Sequence, residues 1–145
     1  MLNGRPRTFE VGPDDYLLDT LRNHHLYSVR KGCDSSNCGI CTILMDGKPV
    51  LSCSILSVRA DGHAFTTVEG IAEEADQISD YFGDEGADQC GFCNIGMALL
   101  AYTMKRDNVE PTEEAIRHHL AGNLCRCSGY QAQVKAIKRY MEAKR

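Results

Sequence analysis

The apolar positions of this 145-residue chain follow two periods, one strand-like in the first half and one helical in the second. Thr8-Phe9-Glu10-Val11 alternates polar with apolar and predicts a half-buried strand. Gly12-Pro13-Asp14-Asp15 predicts a helix start, because proline is tolerated in a first turn and acids suit the positive end of the helix dipole. Leu17, Leu18, Leu21 and Leu26 give that helix an apolar face, and His24 and His25 near its end complement the dipole rather than ligate metal. Thr42-Ile43-Leu44-Met45 and Lys48-Pro49-Val50-Leu51-Ser52-Cys53 predict paired strands around an Asp46-Gly47 turn. His63-Ala64-Phe65-Thr66-Thr67 predicts one more short strand.

From residue 78 the pattern turns helical. Ile78, Tyr81 and Phe82 predict a short helix that stops near Gly83 or Gly86. Met97, Leu100, Ala101 and Met104 share one face of the next, with the methionines as core filler. Pro111-Thr112-Glu113-Glu114 starts a third, with Thr112 as its cap and Ile116 and Leu120 facing inward; His118 and His119 near its end follow the same dipole logic as His24. Tyr130, Val134, Ile137 and Met141 make the stripe of a fourth. Residues 70–77 are acidic and poor in large apolar groups, which marks a boundary and divides the chain into 1–72 and 73–145. A small mixed domain followed by a compact four-helix bundle makes the class α+β. Each half sits near the lower size limit for a stable core, where metals often supply stability.

Charge narrows the function. The net charge is −4, but residues 33–104 carry eleven acids against two bases, whereas residues 105–145 carry nine bases against five acids. An acidic middle argues against nucleic acid as a partner. The basic C-terminal stretch is expected to be a solvated helix face, with a docking face for a partner subunit as the alternative. No apolar run could span a bilayer, and the first residues have neither the apolar core of a signal peptide nor a twin arginine, so the cytoplasm is the expected location.

Eight cysteines without an export signal point to thiolates and metal rather than to disulfides. Cys33, Cys38 and Cys41 with the later Cys53 follow C-x4-C-x2-C plus a distant fourth, the plant-type ferredoxin spacing for a [2Fe–2S] cluster. One tight loop can supply three thiolates, and the hairpin returns Cys53 towards Cys41. Gly32 and Gly39 let backbone pass close to the cluster. Cys90 and Cys93, then Cys125 and Cys127, form a second set of four. Its spacing alone is shared with zinc sites, and less readily with a redox disulfide, since no strand precedes Cys90. Both pairs precede predicted helices, whose N-termini would stabilise an anionic cluster and raise its potential.

Taken together, these motifs resemble the small iron–sulfur subunit of molybdenum hydroxylases, the relatives of xanthine dehydrogenase, aldehyde oxidoreductase and aerobic carbon monoxide dehydrogenase. Lys31-Gly32-Cys33-Asp34, Cys38-Gly39-Ile40-Cys41-Thr42, Asp46-Gly47 and Ser52-Cys53 are similar to its first-cluster motif. Gln89-Cys90-Gly91-Phe92-Cys93, Gly96-Met97 and Gly122-Asn123-Leu124-Cys125-Arg126-Cys127-Ser128-Gly129-Tyr130 are similar to its second.

The resemblance implies a plant-type ferredoxin (β-grasp) domain and a four-helix domain, one [2Fe–2S] cluster in each. It implies Cys33, Cys38, Cys41 and Cys53 as ligands of one cluster, and Cys90, Cys93, Cys125 and Cys127 of the other, which decides the second set against zinc. It further implies that Gln89 and Cys127 approach a molybdopterin cofactor held by a large subunit, with FAD on a medium subunit or another acceptor receiving the electrons from the clusters. The chain would then be the electron-transfer part of an oxidoreductase, with no substrate site of its own. A freestanding two-cluster carrier and a zinc-stabilised interaction module are the rival expectations. Members of this family usually have more residues before the Asn3-Gly4 turn, so a first strand is expected to be truncated or missing. Ser36 stands where many have Gly and Ser128 where many have Thr, and Gln131-Ala132-Gln133 is less apolar than usual.

Overall fold

The computed structural model describes residues 1–143; positions 144 and 145, the end of the second expected domain, lie outside them. Strand β1 (Thr42–Met45) runs between β2 (Lys48–Leu51) and β3 (Phe65–Thr66) in an antiparallel sheet. Asp46 and Gly47 join β1 to β2 with φ of 49° and 79°, the left-handed pair that a two-residue hairpin turn requires. Residues 1–3 are not lost to the sheet. Asn3 N–H donates to the Phe65 carbonyl and Phe65 N–H to the Met1 carbonyl, both at 2.8 Å, so a short parallel bridge stands where a first strand was expected to be truncated or missing.

The strand expected over residues 8–11 does not form. Thr8, Glu10 and Val11 are exposed, no neighbouring strand offers ladder bonds, and Phe9 instead stacks on His24 with ring centroids 4.3 Å apart. Helix α1 (Leu17–Asn23) also begins later than the proline predicted. Pro13 and Asp14 lie in a turn closed by Asp15, whose carboxylate accepts from the Gly12 N–H at 2.7 Å. The expected apolar face is present: Leu17, Leu18 and Leu21 are buried with Leu2, Val29, Cys41, Ile43 and Phe65 in the core of the N-terminal half.

The acid-rich stretch at 70–77 is mostly helical. A 3-10 turn (Val68–Ile71) runs into α2 (Ala72–Asp84), so Glu73 and Glu74 form its first turn, where acids suit the dipole. This helix therefore starts six residues before Ile78. Three more helices follow, α3 (Asn94–Arg106), α4 (Glu113–Leu120) and α5 (Gln131–Glu142). Thr112 caps α4 as predicted, accepting from the Ala115 N–H at 3.2 Å. Ile78, Phe82, Met97, Ala101, Met104, Ile116, Leu120, Val134 and Ile137 are buried together, joined by Tyr140, which the expected α5 stripe omitted. Each large apolar side chain buried this way contributes roughly 1.5–3 kcal/mol.

The basic residues of α5 are used within the fold. Lys135 and Arg139 reach Glu85 at 2.7 and 2.5 Å, and Arg139 also reaches Asp84 at 3.3 Å, fastening α5 to the end of α2. Lys135 and then Arg139 hold the Glu85 carboxyl below its usual range.

Strand β1 is buried on both faces. Ile43 belongs to the N-terminal core, whereas Leu44 packs with Ile71 and with Leu99 of α3. An unbroken Thr-Ile-Leu-Met run is what such a strand needs. The two halves are thus welded through β1, and the Arg106 guanidinium of α3 adds a bond to the Gly47 carbonyl at 2.8 Å.

Candidate metal centres

The thiols meet in pairs. The Cys33 thiol interacts with that of Cys38, and the Cys41 thiol with that of Cys53. In the second half Cys93 pairs with Cys125, and Cys127 with Cys90 at 3.6 Å between sulfurs. Among the described residues no three His, Cys, Asp or Glu side chains are placed to hold one metal ion. Two-plus-two pairing suits a dinuclear cluster, in which each iron takes two thiolates and bridging sulfides complete its coordination. A mononuclear zinc site needs convergence on a single point. The donor sets therefore fit [2Fe–2S] clusters.

The first loop is built by backbone donors. N–H groups of Asn37, Ser35 and Cys38 point at the Cys33 sulfur and hold that thiol down to about 6. Burial pushes Cys38 up, and pushes Cys41 up to about 11. Positive φ at Ser36 (54°) and Gly39 (70°) wraps this chain of donors. A Cβ on Gly32 would sit 2.7 Å from Ile40 Cδ1 and 3.1 Å from the Cys38 sulfur, so the glycine makes room for that ligand. Cys53 lies in a 3-10 turn (Ser52–Ser54) just past β2, and Ser52 Oγ donates to the Cys41 carbonyl at 2.8 Å. The hairpin delivers the fourth thiol where its spacing indicated.

The second set is arranged by helix ends and by side chains from α5. Cys93 occupies the cap position of α3, but burial dominates and pushes its thiol up to about 12. The Phe92 N–H lowers exposed Cys90, and the neighbouring Cys90 thiol raises Cys127. Burial raises Cys125, yet the Ser128 hydroxyl and the N–H groups of Cys127 and Ser128 outweigh it and leave that thiol lowered. Cys127 does not abut α5 directly, since Ser128 and Gly129 separate it from Tyr130, the left-handed cap at φ 69°. Tyr130 Oη accepts from the Cys125 N–H at 2.8 Å.

Gln133 escaped the sequence argument. It is buried, accepts from Ser128 Oγ at 2.6 Å, and donates to the Ala87 carbonyl at 3.2 Å and towards the Cys125 sulfur at 3.8 Å. The signal was a polar residue one turn before Ile137 on an otherwise apolar stripe.

The two cysteine loops touch. Leu124 N–H donates to the Cys38 carbonyl at 2.8 Å, and Asn123 Nδ2 donates to the Gly39 carbonyl at 2.9 Å. A second contact comes from Arg30, which donates to the Gly91 carbonyl at 2.5 Å and lies 5.3 Å from the Phe92 ring. Around the outer pair, Gln89, Cys90, Phe92, Leu124, Arg126 and Cys127 are all exposed. Gln89 immediately precedes Cys90 and is exposed like it.

Comparison with known proteins follows this division. Residues 1–70 match the model of the 2Fe-2S iron-sulfur cluster binding domain, and residues 67–138 match that of the [2Fe-2S] binding domain. The chain is 41% identical over 96% of its length to the nicotinate dehydrogenase small FeS subunit of Eubacterium barkeri, spanning 90% of that protein. It is 39% identical over 94% of its length to the xanthine dehydrogenase iron-sulfur-binding subunit of Escherichia coli, spanning 88% of it. Among solved structures, a chain of quinoline 2-oxidoreductase from Pseudomonas putida superposes with a TM-score of 0.87 at 41% identity, over 94% of this chain and 86% of that one. The aldehyde oxidoreductase of Desulfovibrio desulfuricans gives 0.89 at 37% identity over 97% of this chain, which corresponds to 16% of that much longer one.

Proposed function

The chain belongs to the family of small iron–sulfur subunits of molybdenum hydroxylases, and on that premise we propose that it relays single electrons between the molybdopterin site of a large subunit and a flavin-bearing medium subunit or another acceptor. Each [2Fe–2S] cluster, when bound, takes up and releases one electron at a time. Cys33, Cys38, Cys41 and Cys53 hold one cluster, and Cys90, Cys93, Cys125 and Cys127 hold the other. The observation that carries the relay is the contact between the two loops: the Cys38 carbonyl accepts directly from the residue preceding Cys125. Two clusters kept in separate, unconnected domains would not be coupled in this way.

The exposed Gln89–Cys127 surface faces the pterin, and the hollow that Cys33 and Cys53 line with Tyr16 and Lys31 faces the next acceptor. Residues 1–72 form the first domain and 73–145 the second. The start of α2 at Ala72 supports that division. No described helix is long and apolar enough to cross a membrane, and the cytoplasm is the proposed location.

The native protein, purified through a tag on this chain, should elute with a molybdopterin-containing large subunit. Elution alone at 16.1 kDa would make it a freestanding carrier instead. Gln89→Ala tests the pterin contact. It removes an amide that both donates and accepts but is no cluster ligand. Iron content should stay at the wild-type level, while molybdenum retention or turnover of the complex falls by the equivalent of roughly 1–3 kcal/mol, the usual consequence of leaving a polar partner unpaired. Wild-type molybdenum content and turnover would make Gln89 an ordinary loop residue.

A further inference from the structure

We propose that Asn123 is a positioning residue that sets the separation and orientation of the two clusters. The proposal rests on the reading that both cysteine sets hold [2Fe–2S] centres. Asn123 is fully buried in the segment between α4 and α5, where it makes two bonds and its neighbour makes a third. Its N–H donates to the Leu120 carbonyl at 2.9 Å, fixing it to the end of α4. Its side-chain amide donates to the Gly39 carbonyl at 2.9 Å, one residue from Cys38 and two from Cys41. Its neighbour Leu124 donates to the Cys38 carbonyl and leads directly into Cys125. One side chain therefore locks the first cluster loop against the second.

The surroundings are cut to this amide. A Cβ on Gly96 of α3 would overlap Asn123 Nδ2, and a Cβ on Gly39 would overlap the Gly122 carbonyl. Gly96 keeps the space the amide needs, and Gly39 lets the backbone of residues 122–123 approach the first loop. A hydrocarbon could fill that space, and simple packing would favour one, because Asn123 Oδ1 has no hydrogen-bond partner among the described residues. A buried amide with an unpartnered oxygen is the costlier choice for packing alone. What it offers in return is the donor that holds the Gly39 carbonyl. Asn123 ligates nothing, so its influence on the clusters passes through geometry.

The test uses the full chain loaded with both clusters, as Asn123→Ala and as Asn123→Asp, the latter keeping the shape. Three readouts are compared with wild type. Iron content and the separate paramagnetic resonance signals of half-reduced samples report whether each centre is intact. The splitting of the signals in fully reduced samples reports the magnetic coupling between them. Hydrogen exchange at the Leu124 amide reports whether the loops stay docked.

Wild-type iron and unshifted single-cluster signals are expected in both variants, with altered splitting and at least tenfold faster exchange at Leu124. Unchanged splitting and exchange in both variants would overturn the proposal. So would loss of iron from the second site, which would make Asn123 a support of that loop alone. Wild-type protein that binds fewer than two clusters fails before any variant is made, and identifies the underlying reading as the error.

Discussion

Alanine at position 39 should undock the two halves of the chain. Gly39 has φ of 70°, a conformation that costs a residue with a Cβ roughly 1–3 kcal/mol. Its new methyl would also collide with the backbone carbonyl of Gly122, and a backbone atom cannot step aside as the tip of a side chain can. Relief requires the 38–41 loop to pull away from residues 122–124. That breaks the bonds from Asn123 and Leu124, each worth about 1 kcal/mol net and more when a buried group is left unpaired. The sum, about 3–5 kcal/mol, is a large share of the 5–15 kcal/mol that stabilises an ordinary domain. Thermal bleaching of the visible cluster absorption should begin at a clearly lower temperature, with reduced iron at isolation. Gly62→Ala separates the two causes: its φ is 80° but nothing lies within 4 Å of the added Cβ, so only the strain of roughly 1–3 kcal/mol should appear. If the two variants bleach at the same temperature, the contact between the loops is not the tight joint described above.

Cys53→Ser should remove or weaken one cluster and leave the other. A serine oxygen is a harder ligand and a poorer partner for iron in a sulfur-bridged centre than a thiolate. Cys53 is suited to this separation because its neighbours are Cys41 and Ser36 and, among the described residues, it makes no hydrogen bond to residues 122–124. Cys38, by contrast, carries the carbonyl that Leu124 holds. The helical half has its own core around Met97, Ile116 and Ile137 and its own four thiols. Iron should fall to about half, with one reduced-cluster signal lost and the other unshifted. Loss of both signals would mean that the Leu44, Ile71 and Leu99 contact makes the halves one folding unit.

What could be read from the sequence was local chemistry. The Asp46-Gly47 hairpin and the Thr112 cap form as expected, and Val134 and Ile137 of the expected α5 stripe are buried; all depend on residues a few positions apart. The cysteine spacings were legible for the same reason, since three ligands of the first set lie in one loop. The misplaced elements depended on distant partners. Residues 8–11 alternate like a strand, but no strand edge lies beside them. The start of α2 was hidden because a solvent-facing first turn of acids carries no apolar signal, though Ile78 and Phe82 mark its far end. The residues that hold the two centres in place were missed almost entirely. Asn123 reaches Gly39 across 84 positions, Arg30 reaches Gly91 across 61, and Gln133 reaches Ala87 across 46. No spacing rule connects such pairs. Only Gly39 was singled out, for close approach of backbone to a cluster; its missing Cβ also makes room for the Gly122 carbonyl, which no spacing indicated.

The central claim is that one chain carries two [2Fe–2S] centres able to exchange electrons. Metal and acid-labile sulfide analysis, combined with spin counting during stepwise chemical reduction of the purified chain, tests it most directly. The account predicts about four irons and about four sulfides per chain, and two unpaired spins at full reduction that split each other's signals. About two irons accompanied by zinc, with a single spin, would contradict it.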